Sequence, residues 1–330
     1  MTTIREVAKF AEVSTATVSR VLNNNSNVKA DTKKRVEDAI ERLNYHPNDV
    51  ARTLYKGQSK IIALFVPDIM NPYYPELTRA VEDVTNDQNY TFVLCNTDGD
   101  NQKERAYRKA LKQKKVDGII IVSSTITEEE ASALTTPTVL LDRKITSNIS
   151  SVTVNNREGA REAVTFLKSL GCEKVAHISG PQQDTNARSR RDGYLDVVKN
   201  ERWFQQDYIV SGDYNFEAAQ QATKYLLTRH PEIGGLFVGN DLMGVAALKT
   251  AQDLGISVPE QLSIIAFDGI TLGKTATPSL TTMAQPIYDI GVCAANILLE
   301  QINENATKTY HKEFPVELIE RDSTKKRERT

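Results

Sequence analysis

TIREVAKFAEVSTATVSRVLN, residues 3–23, reads as two short helices joined by a tight turn. Thr3 and Glu6 have the spacing of a capping box that opens the first helix. Val7, Ala8 and Phe10 supply its buried side, with Ala11 continuing it. Ala11-Glu12-Val13-Ser14 makes the turn, and Ser14 or Thr15 caps the second helix. Val18 and Val21/Leu22 recur there at the i, i+3/i+4 spacing of a core-facing stripe. Thr15, Ala16, Thr17 and Arg20 are left pointing outward. Arg grips guanine edges through two hydrogen bonds, and short Thr or Ala side chains allow close approach or touch a thymine methyl. Asp31 caps a third helix whose Val36, Ala39, Ile40 and Leu43 form one apolar stripe. Three helices so arranged suit insertion of the second into a DNA major groove. On spacing alone they also suit a small protein-binding domain.

The next stretch, LNYHPNDVARTL at residues 43–54, ends the third helix and starts a short one at Pro47 or Asn48. DVARTLY, residues 49–55, is too short to hold a helix alone in water. It also leaves Leu54 without an obvious core. A marginal helix with an exposed Leu suits folding on DNA and wedging between base steps of the minor groove, where the kink admits further contacts. Charge agrees: residues 1–60 hold 11 Lys/Arg against 7 Asp/Glu, while the remainder holds 30 against 36. A basic head on an acidic body fits phosphate contact at one end only.

From residue 60 the texture changes. Apolar runs IIALFVPD, TFVLCNTD, VDGIIIVSS and TVLLDR alternate with helix-length stretches, and KVAHISG, GGLFVGND and LSIIAFDG form a second series. Continuous apolar strands between amphipathic helices indicate parallel sheets covered on both faces. Two series predict two doubly wound α/β lobes, whose ligands bind at the carboxyl ends of the strands. Polar residues collect there: Asp68 to Asn71, Asp142-Arg143, Asn240-Asp241 and Asp268. A sugar pocket needs aromatic faces together with planar carboxylates, amides and guanidinium groups that pair with hydroxyls. Asn71, Tyr73, Tyr74, Asp142, Arg143, Arg190, Tyr214, Asn240, Asp268 and Gln285 provide that set. Each also has a plainer reading: Asp268 as a helix cap, Asn240-Asp241 as a strand-to-helix turn, Asp142-Arg143 as a surface ion pair, the tyrosines as core. Their combined order carries the argument.

Other classes are disfavoured. Length 330 predicts two or three domains. No run approaches a membrane span, and MTTIREV lacks the apolar core of a signal peptide, so the expectation is a cytoplasmic protein. Cys95, Cys172 and Cys293 are scattered and read as reduced thiols. No GxGxxG follows the first body strand, and no Walker loop or GxSxG is present. His46, His177, His230 and His311 lack metal-ligand spacing. The reading is a switch without enzyme activity, cofactor or metal.

Residues 1–58 closely resemble the headpiece and hinge of the LacI/GalR family of bacterial repressors, through the two ungapped strings quoted above. The resemblance implies that Thr15, Ala16, Thr17 and Arg20 read the major groove and that Asn23 and Tyr45 support backbone contacts. It makes Leu54 the minor-groove wedge, with Ala51 and Tyr55 in the same hinge. Residues 60–324 resemble the periplasmic sugar-binding fold that this family uses as its sensor. The implied organisation is a helix-turn-helix head at 1–46, a hinge helix and linker at 47–59, and an effector-binding and dimerisation domain at 60–330. Its N-lobe would span about 60–157 and 288–318, its C-lobe about 158–287 and 319–330. The pocket order resembles that of ribose-binding proteins and ribose repressors, with Arg190 chosen among Arg188, Arg190 and Arg191 because it stands three before Gly193-Tyr194. The implied partners are a palindromic operator, a second copy of the chain and a small sugar, ribose foremost. Two alternatives stay open: control by a phosphorylated carrier protein, since QPIYDIGVCAANILLEQ, SGDY and FVGND resemble that subgroup too, and control by another sugar or a purine. The tail KKRERT carries no leucine heptad, so no tetramer module is expected.

Overall fold

The computed structural model describes residues 2–22, 28–45, 58–122, 126–143, 148–304 and 308–326. The chain divides into a unit of residues 1–59 and a unit of residues 60–330.

In the first unit α1 (Ile4–Phe10), α2 (Thr15–Leu22) and α3 (Ala30–Arg42) pack around Val7, Ala8, Ala11, Val18, Val21, Val36 and Ala39. The capping box forms: the Thr3 backbone N–H donates to the Glu6 carboxylate at 2.6 Å, and the Glu6 N–H to the Thr3 hydroxyl at 3.4 Å. Ser14 opens α2, its hydroxyl accepting from the Thr17 N–H at 3.1 Å. Three expectations need correction. Phe10 is half exposed, because Ile4, Val7, Ala8 and Ala11 share one face of α1 and Phe10 lies well round the helix from it. Asp31 is in the first turn of α3, not at its cap; Lys29 holds the cap position and makes no side-chain bond there. Tyr45 is buried in the head core, which leaves it little surface for a DNA backbone. The hinge helix expected at 47–59, and with it Asn23, Ala51, Leu54 and Tyr55, lies outside the described residues, apart from Gln58 and Ser59 at its end.

In the second unit the chain runs β1 (Ile61–Val66), α4 (Tyr73–Asp87), β2 (Thr91–Asn96), α5 (Asn101–Gln113), β3 (Gly118–Val122), α6 (Glu128–Ser132), β4 (Thr138–Leu141) and β5 (Ser150–Val154). It continues α7 (Asn156–Ser169), β6 (Val175–Ser179), α8 (Thr185–Val198), β7 (Ile209–Ser211), α9 (Phe216–Arg229), β8 (Gly235–Val238), α10 (Asp241–Asp253), β9 (Ser263–Asp268), α11 (Thr271–Thr275) and β10 (Thr281–Ala284). It ends with α12 (Ile287–Glu304), β11 (His311–Phe314) and β12 (Glu317–Ile319). One sheet has the order β11-β5-β4-β3-β1-β2 and is parallel throughout. The other has the order β12-β10-β9-β8-β6-β7, with only β12 antiparallel. All seven apolar runs are strands. Each sheet is covered on both faces, by Leu64, Ile120 and Leu298 on one side of the first and Phe65, Ile119 and Ile121 on the other.

Three crossings join the lobes: at Asn155, at Gln285-Pro286 and at Pro315-Val316. The third is displaced from the expected 318/319. Lys312 and Phe314 register with β5 of the first sheet, whereas Leu318 and Ile319 already register with β10 of the second. Two strands of four and three residues separated by a proline carry too short a hydrophobic pattern to be split from sequence. Among the described residues no helix is long and apolar enough to cross a membrane.

Candidate functional site

The carboxyl ends of both sheets face one cleft of about 350 Å³. Asn71, Tyr73, Tyr74 and Asp142 line it from the first lobe, and Arg190, Tyr214, Asn240 and Asp268 from the second, with Gln285 at a crossing. Arg143 is not among the lining residues. Neighbouring residues at a strand end point opposite ways, and the Arg143 guanidinium donates to the Ile126 carbonyl at 2.6 Å. Of the three arginines, Arg190 is the one that lines the cleft. Arg190 is buried, whereas Arg188 is exposed and, with Arg191, lines a separate small pocket.

Arg190 organises the floor. Its Nε donates to the Asn156 side-chain oxygen at 2.8 Å and its Nη1 to the Gly239 carbonyl at 2.5 Å. Nη1 also stands 3.3 Å from the Asp268 carboxylate, and the guanidinium carbon lies 3.8 Å from the centre of the Phe267 ring. Gln285 donates to the same Asp268 oxygen at 2.7 Å, while its own Oε1 is buried and, among the described residues, has no partner. Asp241, which lines no part of the cleft, holds the loop behind it. Its carboxylate accepts from the Gly269 and Ile270 N–H groups at 2.9 and 2.8 Å and from the Thr282 hydroxyl at 2.6 Å. Asn240 caps α10, its oxygen accepting from the Met243 N–H at 2.9 Å, which turns its amide nitrogen toward other partners. The cap reading and the cleft reading of Asn240 therefore hold together.

Backbone strain gathers at this site. Asp142, Tyr214 and Asp268 have φ of 63°, 55° and 111°, a region that costs a non-glycine residue about 1–3 kcal/mol. Tyr214 stands over Gly180, where an added Cβ would come within 2.4 Å of its ring. Gly180→Ala is expected to push that ring into the cleft and weaken effector binding at least tenfold, as read by calorimetric titration, with a much smaller change in melting temperature.

The cleft shifts its own acids. Burial, reinforced by the nearby Asp184 charge and opposed by Arg190, pushes Asp142 up to about 7. Burial raises Asp268 to about 6 against the pull of Arg190, and Asp241 to about 8. Burial likewise holds the Tyr73, Tyr74 and Tyr214 hydroxyls well above their ordinary range, so they remain phenols. A carboxyl raised in the folded state stabilises it at low pH, and that contribution is lost as pH climbs through the raised value. The ligand-free protein is therefore expected to melt higher at pH 6 than at pH 8. Asp142, which keeps part of its surface open to the cleft, contributes about 1 kcal/mol of this. A melting series of wild type and Asp142→Asn checks it: the variant's dependence should be flatter.

Several cleft residues escaped the sequence reading: Thr97, Asp98 and Glu104 in the first lobe, Asp184, Asn186 and Asp213 in the second. Asn186 sits one turn before Arg190 on α8, a helical spacing that points to the same side. Asn156, which anchors both Arg190 and Asn186 (3.0 Å), precedes Arg190 by 34 residues and left no local signal.

On the head, Thr15, Ala16 and Arg20 are exposed on α2, and Thr17 is half-buried with its hydroxyl 2.9 Å from that of Ser14. Val18 and Val21 fill the opposite side.

A helix-turn-helix head followed by a two-lobed, doubly wound sensor defines a ligand-responsive regulator. Residues 3–48 match the model for bacterial regulatory proteins, lacI family, and residues 164–324 that for a periplasmic binding protein-like domain. The chain is 46% identical over 325 residues to the ribose operon repressor of Halalkalibacterium halodurans, covering 98% of each. It superposes on a lac repressor dimer bound to operator and the anti-inducer ONPF with TM-score 0.88 and 26% identity, covering 98% of this chain and 99% of that one. It superposes on a LacI family regulator from Enterococcus faecium with bound ribose with TM-score 0.72 and 29% identity, covering 81% and 100%. The chain belongs to the lacI family of bacterial regulatory proteins. It is a transcriptional regulator with a DNA-binding head and an effector-binding body.

Proposed function

We propose that this protein is a ribose-responsive repressor acting in the cytoplasm as a homodimer on a palindromic operator. The observation that carries the ligand assignment is the cleft itself. Tyr73, Tyr74 and Tyr214 offer aromatic faces, while Asp142, Arg190, Asn240, Asp268 and Gln285 offer the acceptors and donors that paired sugar hydroxyls need. The relative named for a ribose operon and the ribose-bound family member support the same ligand. Two-fold symmetric heads match a palindromic site. Sugar draws the lobes together around the three crossings, and the closed form disfavours the DNA-bound form. Couplings of this kind are typically about 1–3 kcal/mol. The DNA contacts are assigned to Thr15, Ala16, Thr17 and Arg20 on α2. The assignments of Asn23 to backbone contact and of Ala51, Leu54 and Tyr55 to the hinge rest on sequence alone.

Operator binding measured by fluorescence anisotropy, with ribose, other sugars, purine bases and a phosphorylated carrier protein titrated in turn, tests the proposal. Ribose is expected to release the operator and raise the melting temperature. Release by a purine or tightening by the carrier protein, with ribose silent in both readouts, would replace the ligand assignment.

A further inference from the structure

We propose that the cleft selects its effector by charge: it takes an uncharged or cationic polyol and rejects the phosphate ester of the same sugar. The inference rests on the sugar reading above and narrows it. Three carboxylates, Asp142, Asp184 and Asp268, meet in the depth of the cleft, and Asp68, Asp98, Glu104 and Asp213 line its remainder. Among the described residues, Arg190 is the only Lys or Arg that lines the cleft. Asp98 is paired with Lys103 at 2.5 Å, and Glu104 with Arg108 at 3.5 Å. Five further carboxylates still face one guanidinium.

Arg190 is not held ready for a phosphate. A guanidinium grips a phosphate with two parallel N–H groups, but here Nε and Nη1 are engaged by Asn156, Gly239 and Asp268. The other common anion site is a helix N-terminus, whose first N–H groups are unsatisfied. Helices α4, α8 and α10 all open toward this cleft, and in each a side-chain oxygen of the chain itself takes one of the first N–H groups. The Asn71 oxygen accepts from the Tyr73 N–H at 3.1 Å, the Asp184 carboxylate from the Ala187 N–H at 2.7 Å, and the Asn240 oxygen from the Met243 N–H at 2.9 Å. At α8 a carboxylate occupies the place a phosphate would take. Like charges brought together where water is scarce repel strongly, so the ester meets net repulsion from the lining carboxylates, which neutral amide and hydroxyl donors do not cancel. A protonated ring amine meets the opposite field.

The test uses the full-length protein at pH 7.5 and calorimetric titration with D-ribose, D-ribose 5-phosphate, 1,4-dideoxy-1,4-imino-D-ribitol and, as the neutral control that like the phosphate is confined to the furanose ring, 5-O-methyl-D-ribose, which is expected to bind at least tenfold tighter than the phosphate. The expected order has the iminosugar at least as tight as ribose and the phosphate at least 100-fold weaker than ribose. In Asp184→Asn, which keeps a capping oxygen, the ribose-to-phosphate ratio is expected to narrow at least fivefold. Ribose 5-phosphate binding within tenfold of ribose, or an unchanged ratio in Asp184→Asn, overturns the charge proposal while leaving the sugar assignment in place. Silence of ribose and iminosugar alike, with a purine base binding, is failure of the sugar assignment itself.

Discussion

Replacing Arg190 by methionine is expected to abolish the response to ribose, with Kd rising more than 100-fold while the head still binds operator. The side chain is 5% exposed and ties together parts of the chain remote in sequence: Asn156 on α7, Gly239 after β8 and Asp268 at the end of β9. Methionine fills similar volume and keeps an apolar contact with the Phe267 ring, but it removes the countercharge of Asp268. Removing one partner of a buried ion pair costs about 3–5 kcal/mol when the other stays charged. Asp268, already raised to about 6, escapes part of that penalty by taking a proton. The expected loss of stability is therefore at the low end, about 3 kcal/mol, and melting should fall by roughly 10 °C with partial recovery at pH 5.5. In operator-binding assays the variant should repress with or without ribose. Arg190→Lys keeps the charge but not the several fixed directions of the fork, and it should restore melting more than ribose affinity. Wild-type ribose affinity in Arg190→Met would remove Arg190 from the binding site.

Arg20→Ala is expected to weaken operator binding by about 1–3 kcal/mol and to relax preference at the base pair Arg20 contacts. Ribose affinity should be unchanged. Arg20 is exposed in the last turn of α2, on the side away from Val18 and Val21, so its loss disturbs no packing. Anisotropy with the operator, single-base variants and scrambled DNA separates the two possible roles. A phosphate contact would lower affinity for all sequences alike and reduce the salt dependence. A base contact lowers it mainly for the operator. Equal loss on all three DNAs would reassign Arg20 to backbone contact.

The elements and their order were legible because the signals are local. Thr3-x-x-Glu6 closes its box within one helical turn, and seven apolar runs become seven strands because a parallel strand covered on both faces needs continuous apolar side chains. The misreadings were also local. Phe10 lies near the right spacing, but only packing decides which arc of a short helix is buried. Asp31 is a residue type that favours caps, placed two positions inside one. Tyr45 is a polar-tipped aromatic that the fold consigned to the core.

The cleft divides differently. The amino-acid order determined which residue types would stand at the carboxyl ends of the strands, because the α/β alternation puts every strand end on the same side. Only the tertiary structure decided which of them meet. It buried Arg190 and left Arg188 outside, turned Arg143 onto the Ile126 carbonyl, and brought Asp142 of one lobe opposite Asp184 and Asp268 of the other. Those outcomes depend on three crossings between lobes and on rotation about a helix axis, quantities that no short window of sequence contains. The balance of charge facing the effector follows from that assembly, because a carboxylate repels or attracts according to what lies a few ångströms away and not according to its neighbours along the chain.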